Sequence, residues 1–217
     1  LRSPVFIVPH GNYTPFITIQ KDKMNSRSYL DLPKDKKILL FFGMIKEVKG
    51  LDLLLKSFKN VLVKNPDTVL LIAGQPFEND FSIYNRIIKQ ENLINHCILH
   101  TKFILQNDVE HYYCASDLVV LPYKKVYQSL VRMMALSYER AVLVSDLPSL
   151  KEVITDKEDG FLFKTQDTDS LSKKINEILA DNELLDTVRI KGSKLINTKY
   201  NWDSIGALTK KAYNTIY

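Results

Sequence analysis

Residues 38–55 read ILLFFGMIKEVKGLDLLL, and this stretch decides the fold. The apolar run at 38–42 predicts a strand that is covered on both faces, because a half-exposed strand would alternate polar and apolar residues. A loop bounded by Gly43 and Gly50 follows this strand. Beyond the loop, leucines recur at spacings of three and four, which predicts an amphipathic helix. Together the strand, the glycine-bounded loop and the helix predict the first half of a βαβ unit.

The same alternation of apolar runs and helical stretches continues along the central part of the chain. Further apolar strands are predicted at 69–73, 97–100, 118–121 and 141–144. Residues beyond Phe163 predict helices only, at 169–180, 182–196 and 203–213. We therefore expect an α/β fold with a Rossmann-like parallel sheet, helices on both of its faces and a helical C-terminal extension.

Length and composition restrict the class of protein. With 217 residues, of which 45% are hydrophobic, the chain is long enough for one α/β domain with a substantial core. Its formal charge of +5 favours an anionic ligand or an anionic membrane surface. Nucleic-acid binding is not expected, because no basic run alternates with aromatic residues. The two cysteines predict reduced thiols in a reducing compartment, and no apolar run reaches the ~20 residues of a membrane span.

The loop at 43–50 has the features of an anion site. In an open parallel sheet, ligands bind beyond the carboxyl ends of the strands, where this loop lies. Gly43 and Gly50 allow the backbone to approach a ligand closely, the next helix offers free amides, and Lys46 and Lys49 add positive charge. These features suit a diphosphate, although a tight turn with solvated lysines explains them equally well. The spacing is not that of a nucleoside-triphosphate P-loop.

Candidate residues also follow the second and third strands. Gly74 is a further position where the backbone must approach something closely, either a ligand or a packed helix. Lys102 and Phe103 are candidates to bracket a nucleotide base. A phenylalanine buried in the core is the more frequent role for a residue such as Phe103.

The loops after the fourth and fifth strands carry polar side chains at predicted helix starts. Tyr123 precedes Gln128 and Ser129, which serve either as helix caps or as ligand contacts. Asp146 either caps the next helix or contacts a sugar or ribose hydroxyl. Glu152 lies about one turn into that helix and is a further candidate for the same ligand.

In this order, the segments resemble the C-terminal, nucleotide-sugar-binding domain of the retaining glycosyltransferases of family 4, which have the GT-B fold. The resemblance extends over about residues 5–213. Its motifs are VPHGNY at 8–13, KGLDLL at 49–54, ASDLVVLPY at 115–123 and EDGFLF at 158–163.

That resemblance implies a nucleotide-diphosphate sugar as donor, transferred with retained stereochemistry and without a metal or other cofactor. Lys49 would pair with the donor diphosphate, assisted by Gly43 and Lys46. His10 would lie in the cleft between domains as the third catalytic candidate. The resemblance also implies a partner outside this chain, an N-terminal domain that binds a lipid-linked or saccharide acceptor.

The expected organisation follows from the same comparison. We expect residues 1–20 to form an interdomain segment and residues 21–196 to form the nucleotide-sugar-binding domain. Residues 197–217 should form a C-terminal helix that packs back toward the N-terminal domain. A role in bacterial surface polysaccharide or glycoconjugate synthesis is expected, in the cytoplasm or at the inner face of the membrane, and the isolated chain should be inactive.

Several positions depart from the family pattern. Val126 and Met134 stand where many members have glutamates, and a bacterial subgroup with a similar loop also lacks them. Other departures replace an arginine or glycines, at Met44, Leu130, Glu139 and Pro148. Proline has no amide hydrogen to offer a donor. These departures leave open an alternative function, in which the domain is catalytically degenerate and acts as a scaffold or partner-binding module.

Overall fold

The computed structural model of the protein describes residues 5–17 and 22–216, and its centre is a parallel sheet. The strands are β1 (Lys37–Phe42), β2 (Thr68–Ala73), β3 (Cys97–His100), β4 (Leu118–Leu121), β5 (Ala141–Ser145) and β6 (Phe161–Phe163). They lie in the order β3-β2-β1-β4-β5-β6, and every neighbouring pair is parallel. This is the doubly wound order of nucleotide-binding α/β folds.

Helices connect the strands and cover the sheet. They are α1 (Lys23–Tyr29), α2 (Leu51–Lys64), α3 (Ser82–Gln90), α4 (Gln106–Ala115), α5 (Leu130–Ser137), α6 (Pro148–Lys151), α7 (Thr168–Ala180), α8 (Asn182–Lys199) and α9 (Trp202–Ile216). None of the helices in the described ranges is both long enough and apolar enough to cross a membrane.

The strands β1, β2, β4 and β5 are buried on both faces, as their unbroken apolar runs predicted, whereas the edge strand β3 is only partly buried. Leu39 and Phe41 of β1 pack with α2, α3 and α7 on one face. Ile38 and Leu40 point the other way and pack with α4 and α5. Side chains of a strand alternate between its two faces, so a strand with helices on each side must be apolar at every position. The predicted fold class is confirmed.

One strand was not predicted. The sequence analysis places no strand within the motif at 158–163, whereas Phe161–Phe163 adds a sixth strand beside β5. Three residues are too few to show a hydrophobic period, and the glycine just before them favours a turn. Phe161 and Phe163 are buried against the sheet, so tertiary packing rather than local pattern makes this segment a strand.

A buried ion pair attaches α1 to the edge of the sheet away from the candidate ligand loops. Arg27 is 3% exposed, and its Nη2 donates to Asp117 Oδ2 at 2.9 Å. The same carboxylate oxygen accepts a hydrogen bond from the Ile38 amide at 2.7 Å. Asp117 thereby joins α1 to the amino ends of β1 and β4.

The N-terminal segment packs on the junction between α8 and α9. The backbone amide of Asn12 donates to the Tyr200 carbonyl at 2.7 Å, and Trp202 Nε1 donates to the backbone carbonyl of Asn12 at 2.9 Å. Helix α8 continues through the expected boundary at 196. Residues 1–4, 18–21 and 217 of the expected segments lie outside the described residues.

Candidate functional site

The candidate site lies where the strand order reverses. The chain leaves β1 toward β2 on one side and leaves β4 toward β5 on the other. In open α/β sheets, ligands bind at such a point, in a crevice beyond the carboxyl ends of the strands, here β1 and β4. The loops after these two strands form its walls. They are joined by a hydrogen bond from the Lys124 amide to the Val48 carbonyl, at 2.8 Å.

Glycines allow these loops to approach one another. Gly50 has φ +69°, and a Cβ there would lie 1.9 Å from the Pro122 carbonyl oxygen. Gly74 has φ +138°, and a Cβ there would lie 2.3 Å from the Gly43 carbonyl oxygen. The requirement for glycine at 74 therefore comes from contact with the neighbouring loop, not from packing of a helix. A Cβ at Gly43 would lie 2.9 Å from Lys49 Nζ, so this glycine leaves room for the ammonium group.

Lys49 is half-buried at the end of a 3₁₀ turn, Glu47–Lys49, beside Gly43. No carboxylate in the described part of the chain lies within 4.0 Å of its Nζ, which is 6.0 Å from the centre of the Tyr123 ring. Burial, and secondarily the charge of Lys46, lowers the pKa of Lys49 from the ordinary 10.5 to about 8. A partly desolvated cation without a counterion favours the binding of an anion.

The neighbouring lysines differ in their partners. Lys46 is exposed, and its Nζ lies 4.9 Å from the centre of the Phe77 ring. Lys124 is instead neutralised, because its Nζ lies 3.0 Å from Asp52 Oδ2 and 3.8 Å from Glu47 Oε1. Lys46 and Lys49 therefore supply the uncompensated positive charge on the β1 side of the crevice.

Helix α5 begins at the other wall. Ser129 is its N-cap, and the Ser129 Oγ accepts a hydrogen bond from the Arg132 amide at 3.2 Å, so the capping interpretation is confirmed. The Ser129 Oγ also lies 3.5 Å from the Tyr123 hydroxyl. Tyr123 is buried, which raises its pKa to about 12 and keeps it neutral. A Cβ at Gly43 would lie 3.4 Å from Val131 Cγ2, so the first turn of α5 faces the glycine loop.

Asp146 has a structural partner. Its Oδ1 accepts hydrogen bonds from the Thr165 amide at 2.8 Å and from the Thr165 hydroxyl at 2.5 Å. The N-cap of α6 is Leu147, so the prediction that Asp146 caps this helix is wrong. The carboxylate instead connects the loops that follow β5 and β6.

Lys102 and Phe103 lie on the surface after β3. Phe103 is 70% exposed, so its interpretation as a core residue is wrong. With β2 between them, β3 and β1 are two strand spacings apart, or about 10 Å. A base held at Phe103 would therefore lie to one side of the crevice at β1 and β4.

Four other predicted residues meet at a cavity of about 370 Å³ beside the start of α5. They are His10, Gln128, Ser129 and Glu152. His10 is exposed, its Nδ1 lies 2.6 Å from the Gly11 carbonyl oxygen, and its ring stacks on Tyr13. Ser129 connects this cavity with the crevice through its contact with Tyr123.

Arg132 also lines this cavity and was missed by the sequence reasoning. It is only 6% exposed, and its Nε has no hydrogen-bond partner within the described part of the chain. The available signal was a single arginine within LVRMMALS, an otherwise mostly apolar helix. A charge inside an apolar helical segment is expensive to bury, which marks it for a specific role.

An all-parallel sheet in this order, with glycines and lysines in the loops at its reversal point, is the architecture of a nucleotide-binding α/β domain. Residues 22–195 match the family described as glycosyl transferases group 1. The chain belongs to that family.

The comparisons agree on family and fold. The chain is 26% identical over 209 residues to the lipopolysaccharide 1,2-N-acetylglucosaminetransferase of Salmonella typhimurium, covering 93% of this chain and 54% of that protein. The chain spans about half the length of the curated relatives it matches. The C-terminal domain of LpcC, a glycosyl transferase group 1 family protein from Francisella tularensis, superposes with a TM-score of 0.74 at 22% identity, covering 87% of this chain and 98% of that domain. Anabaena HepE in complex with UDP superposes with a TM-score of 0.80 at 14% identity, covering 95% of this chain and 55% of HepE.

Proposed function

We propose that this chain is the nucleotide-sugar-binding half of a retaining glycosyltransferase of family 4. In this proposal, the donor diphosphate lies in the crevice between the glycine loop at 43–50 and the first turn of α5. Lys49 carries the proposal, because it is a half-buried cation beside Gly43 that has no counterion among the residues described by the structure. The complex of HepE with UDP supports a uridine nucleotide as the first ligand to test.

The chemistry required of the site is stabilisation of a leaving group. When the bond between the sugar and the diphosphate breaks, negative charge develops on the departing phosphate oxygens. Lys49 would stabilise that charge from its fixed position, and the exposed Lys46 would reach it from the surface. The first amides of α5 have no partners within the helix and add a positive dipole end.

The rest of the protein is also part of the proposal. An N-terminal domain would supply the acceptor, either lipid-linked or a saccharide, so the chain alone would not catalyse transfer. The named Salmonella transferase supports a role in surface polysaccharide or glycoconjugate synthesis. We place the protein in the cytoplasm or at the inner face of the membrane, and its free cysteines, Cys97 and Cys114, are compatible with that location.

The second candidate function is a degenerate domain that serves as a scaffold. Pro148 is the first residue of α6, where it offers no amide to a ligand, and Asp146 is engaged by Thr165. Both features reduce the number of groups available to a donor sugar. They leave the crevice at Lys49 intact, which is why we favour the enzyme.

Calorimetric titration with UDP, GDP and ADP separates the two functions. We expect one nucleoside diphosphate to bind, and Lys49→Ala to weaken that binding about 10- to 100-fold, as expected for loss of a charge-assisted hydrogen bond. Lys124→Ala is the matched control, because Lys124 is already paired with Asp52, and it should change affinity less than about 2-fold. Absence of binding for all three nucleotides at millimolar concentration would refute the enzyme and favour the scaffold.

A further inference from the structure

Arg132 is a buried cation that the proposed diphosphate site does not use. It is the third residue of α5, and its side chain makes no hydrogen bond or ion pair with any residue in the described ranges. Burial lowers its pKa, but a guanidinium remains charged at any physiological pH. A buried charge is retained at a cost unless something pairs with it, so the side chain is poised for an anionic partner.

The space beside Arg132 is large enough for such a partner. The cavity of about 370 Å³ is lined by Arg132 together with His10, Ser129, Glu152, Lys199 and Tyr200, among others. Since one water occupies about 30 Å³, the space exceeds that of a solvated ion and is of the order of a small organic ligand. Arg132 and Lys199 bring two positive charges to the cavity wall, against the single carboxylate of Glu152.

This cavity and the diphosphate crevice lie on different sides of the same helix. Val131 faces Gly43, whereas Arg132, the next residue, lines the cavity. Successive residues of an α-helix are rotated by about 100°, which explains why neighbours face different ligands. The first turn of α5 therefore borders two positively charged spaces, and the proposed diphosphate occupies one of them.

We propose that the cavity over Arg132 binds a second oxyanion, a carboxylate or phosphate carried by the transferred sugar or by the acceptor. The guanidinium offers a planar pair of N–H donors that matches a carboxylate or phosphate group. Lys199 adds a second positive charge at the wall. This inference rests on the proposed function and specifies its substrate class, an acidic rather than a neutral glycosyl substrate.

The first test uses glucuronate as the anionic probe and glucose as the neutral one, in ligand-observed NMR titrations of the whole chain. Glucuronate should bind the wild type more tightly than glucose does. Arg132→Met should weaken glucuronate binding about 10-fold or more and leave UDP binding within about 2-fold. The matched control is Arg189→Met, because Arg189 is paired on the surface with Glu139 and Asp186, and it should change neither affinity.

Glu152→Gln is an independent variant with the opposite expected effect on glucuronate affinity. It allows the inference to be tested even if Arg132→Met fails to fold. It removes the carboxylate from the cavity wall and should tighten glucuronate binding about 2- to 5-fold. Equal affinities of the wild type for glucuronate and glucose, or glucuronate binding that Arg132→Met leaves unchanged, would overturn the inference. If the wild type binds glucuronate but not UDP, the proposed function is refuted and the oxyanion site is retained.

A second titration identifies which substrate carries the oxyanion. If the transferred sugar carries it, UDP-glucuronate will bind more tightly than UDP-glucose, and Arg132→Met will remove the difference. If the acceptor carries it, glucuronate will still bind when the chain is saturated with UDP-glucose. Failure of both results would overturn the assignment to a glycosyl substrate.

Discussion

Replacing Lys49 by methionine should stabilise the ligand-free chain while weakening its affinity for nucleoside diphosphates. The folded environment lowers the pKa of Lys49 from 10.5 to about 8. Each pH unit corresponds to about 1.4 kcal/mol, so the protonated lysine costs up to about 3 kcal/mol of folding free energy. Because the side chain is only partly buried, we expect a gain of about 1–3 kcal/mol for Lys49→Met at pH 7.

The pH dependence of this gain identifies its cause. The pKa of Lys49 is lower in the folded chain than in the unfolded chain, so protonated Lys49 destabilises the fold to its full extent below about pH 8. As the pH rises from 8 toward 10.5, the folded wild type loses the proton first, and its stability approaches that of the variant. In urea titrations, the difference in free energy of unfolding between Lys49→Met and the wild type should therefore be smaller at pH 10 than at pH 7.

The matched control for this experiment is Lys56→Met, an exposed lysine on α2, which should alter stability by less than about 0.5 kcal/mol at either pH. In thermal unfolding, the Lys49→Met gain corresponds to a rise of about 2–10 °C in Tm. A Lys49→Met chain less stable than the wild type at pH 7, or a stability difference independent of pH, would refute the argument that this lysine is an unpaired, desolvated cation.

Other measurements test the site and the fold. UDP affinity of the wild type should fall as the pH rises from 8 to 10, because Lys49 loses its charge, whereas the Lys49→Met variant should show a flatter profile by calorimetry. Gly50→Ala should cost more than about 2 kcal/mol in urea unfolding, since its Cβ would lie 1.9 Å from the Pro122 carbonyl oxygen; a neutral result would contradict the described loop geometry. Asp117→Ala should cost about 3–5 kcal/mol by leaving the buried Arg27 without its counterion, and UDP should still bind whatever fraction remains folded.

The positions of the longer elements could be predicted because their signals are local. An apolar run such as 38–42 needs cover on both faces wherever it lies in the fold, and a glycine-bounded loop after it reaches the ligand edge of the sheet. The three-residue strand Phe161–Phe163 escaped prediction because its strand character comes from pairing with β5. Local pattern carries no information about such a pairing.

The candidate site could be predicted only in part. The sequence singled out Lys49, with Lys46 in an assisting role, and it missed Arg132. It also offered two functions for Asp146 and gave no indication of Thr165, which binds that carboxylate from 19 residues away along the chain. Whether a polar side chain is free for a ligand depends on neighbours that are distant in sequence.

The sequence by itself therefore determined the layered α/β fold and singled out most of the candidate residues in the loops beyond the carboxyl ends of the strands. The tertiary structure alone decided which of those residues have partners. Lys124 is neutralised by Asp52, whereas neither Lys49 nor Arg132 forms an ion pair with another described residue. The physical reason is that burial and charge pairing are set by contacts between loops after different strands, while hydrophobic periodicity is set within one strand or helix.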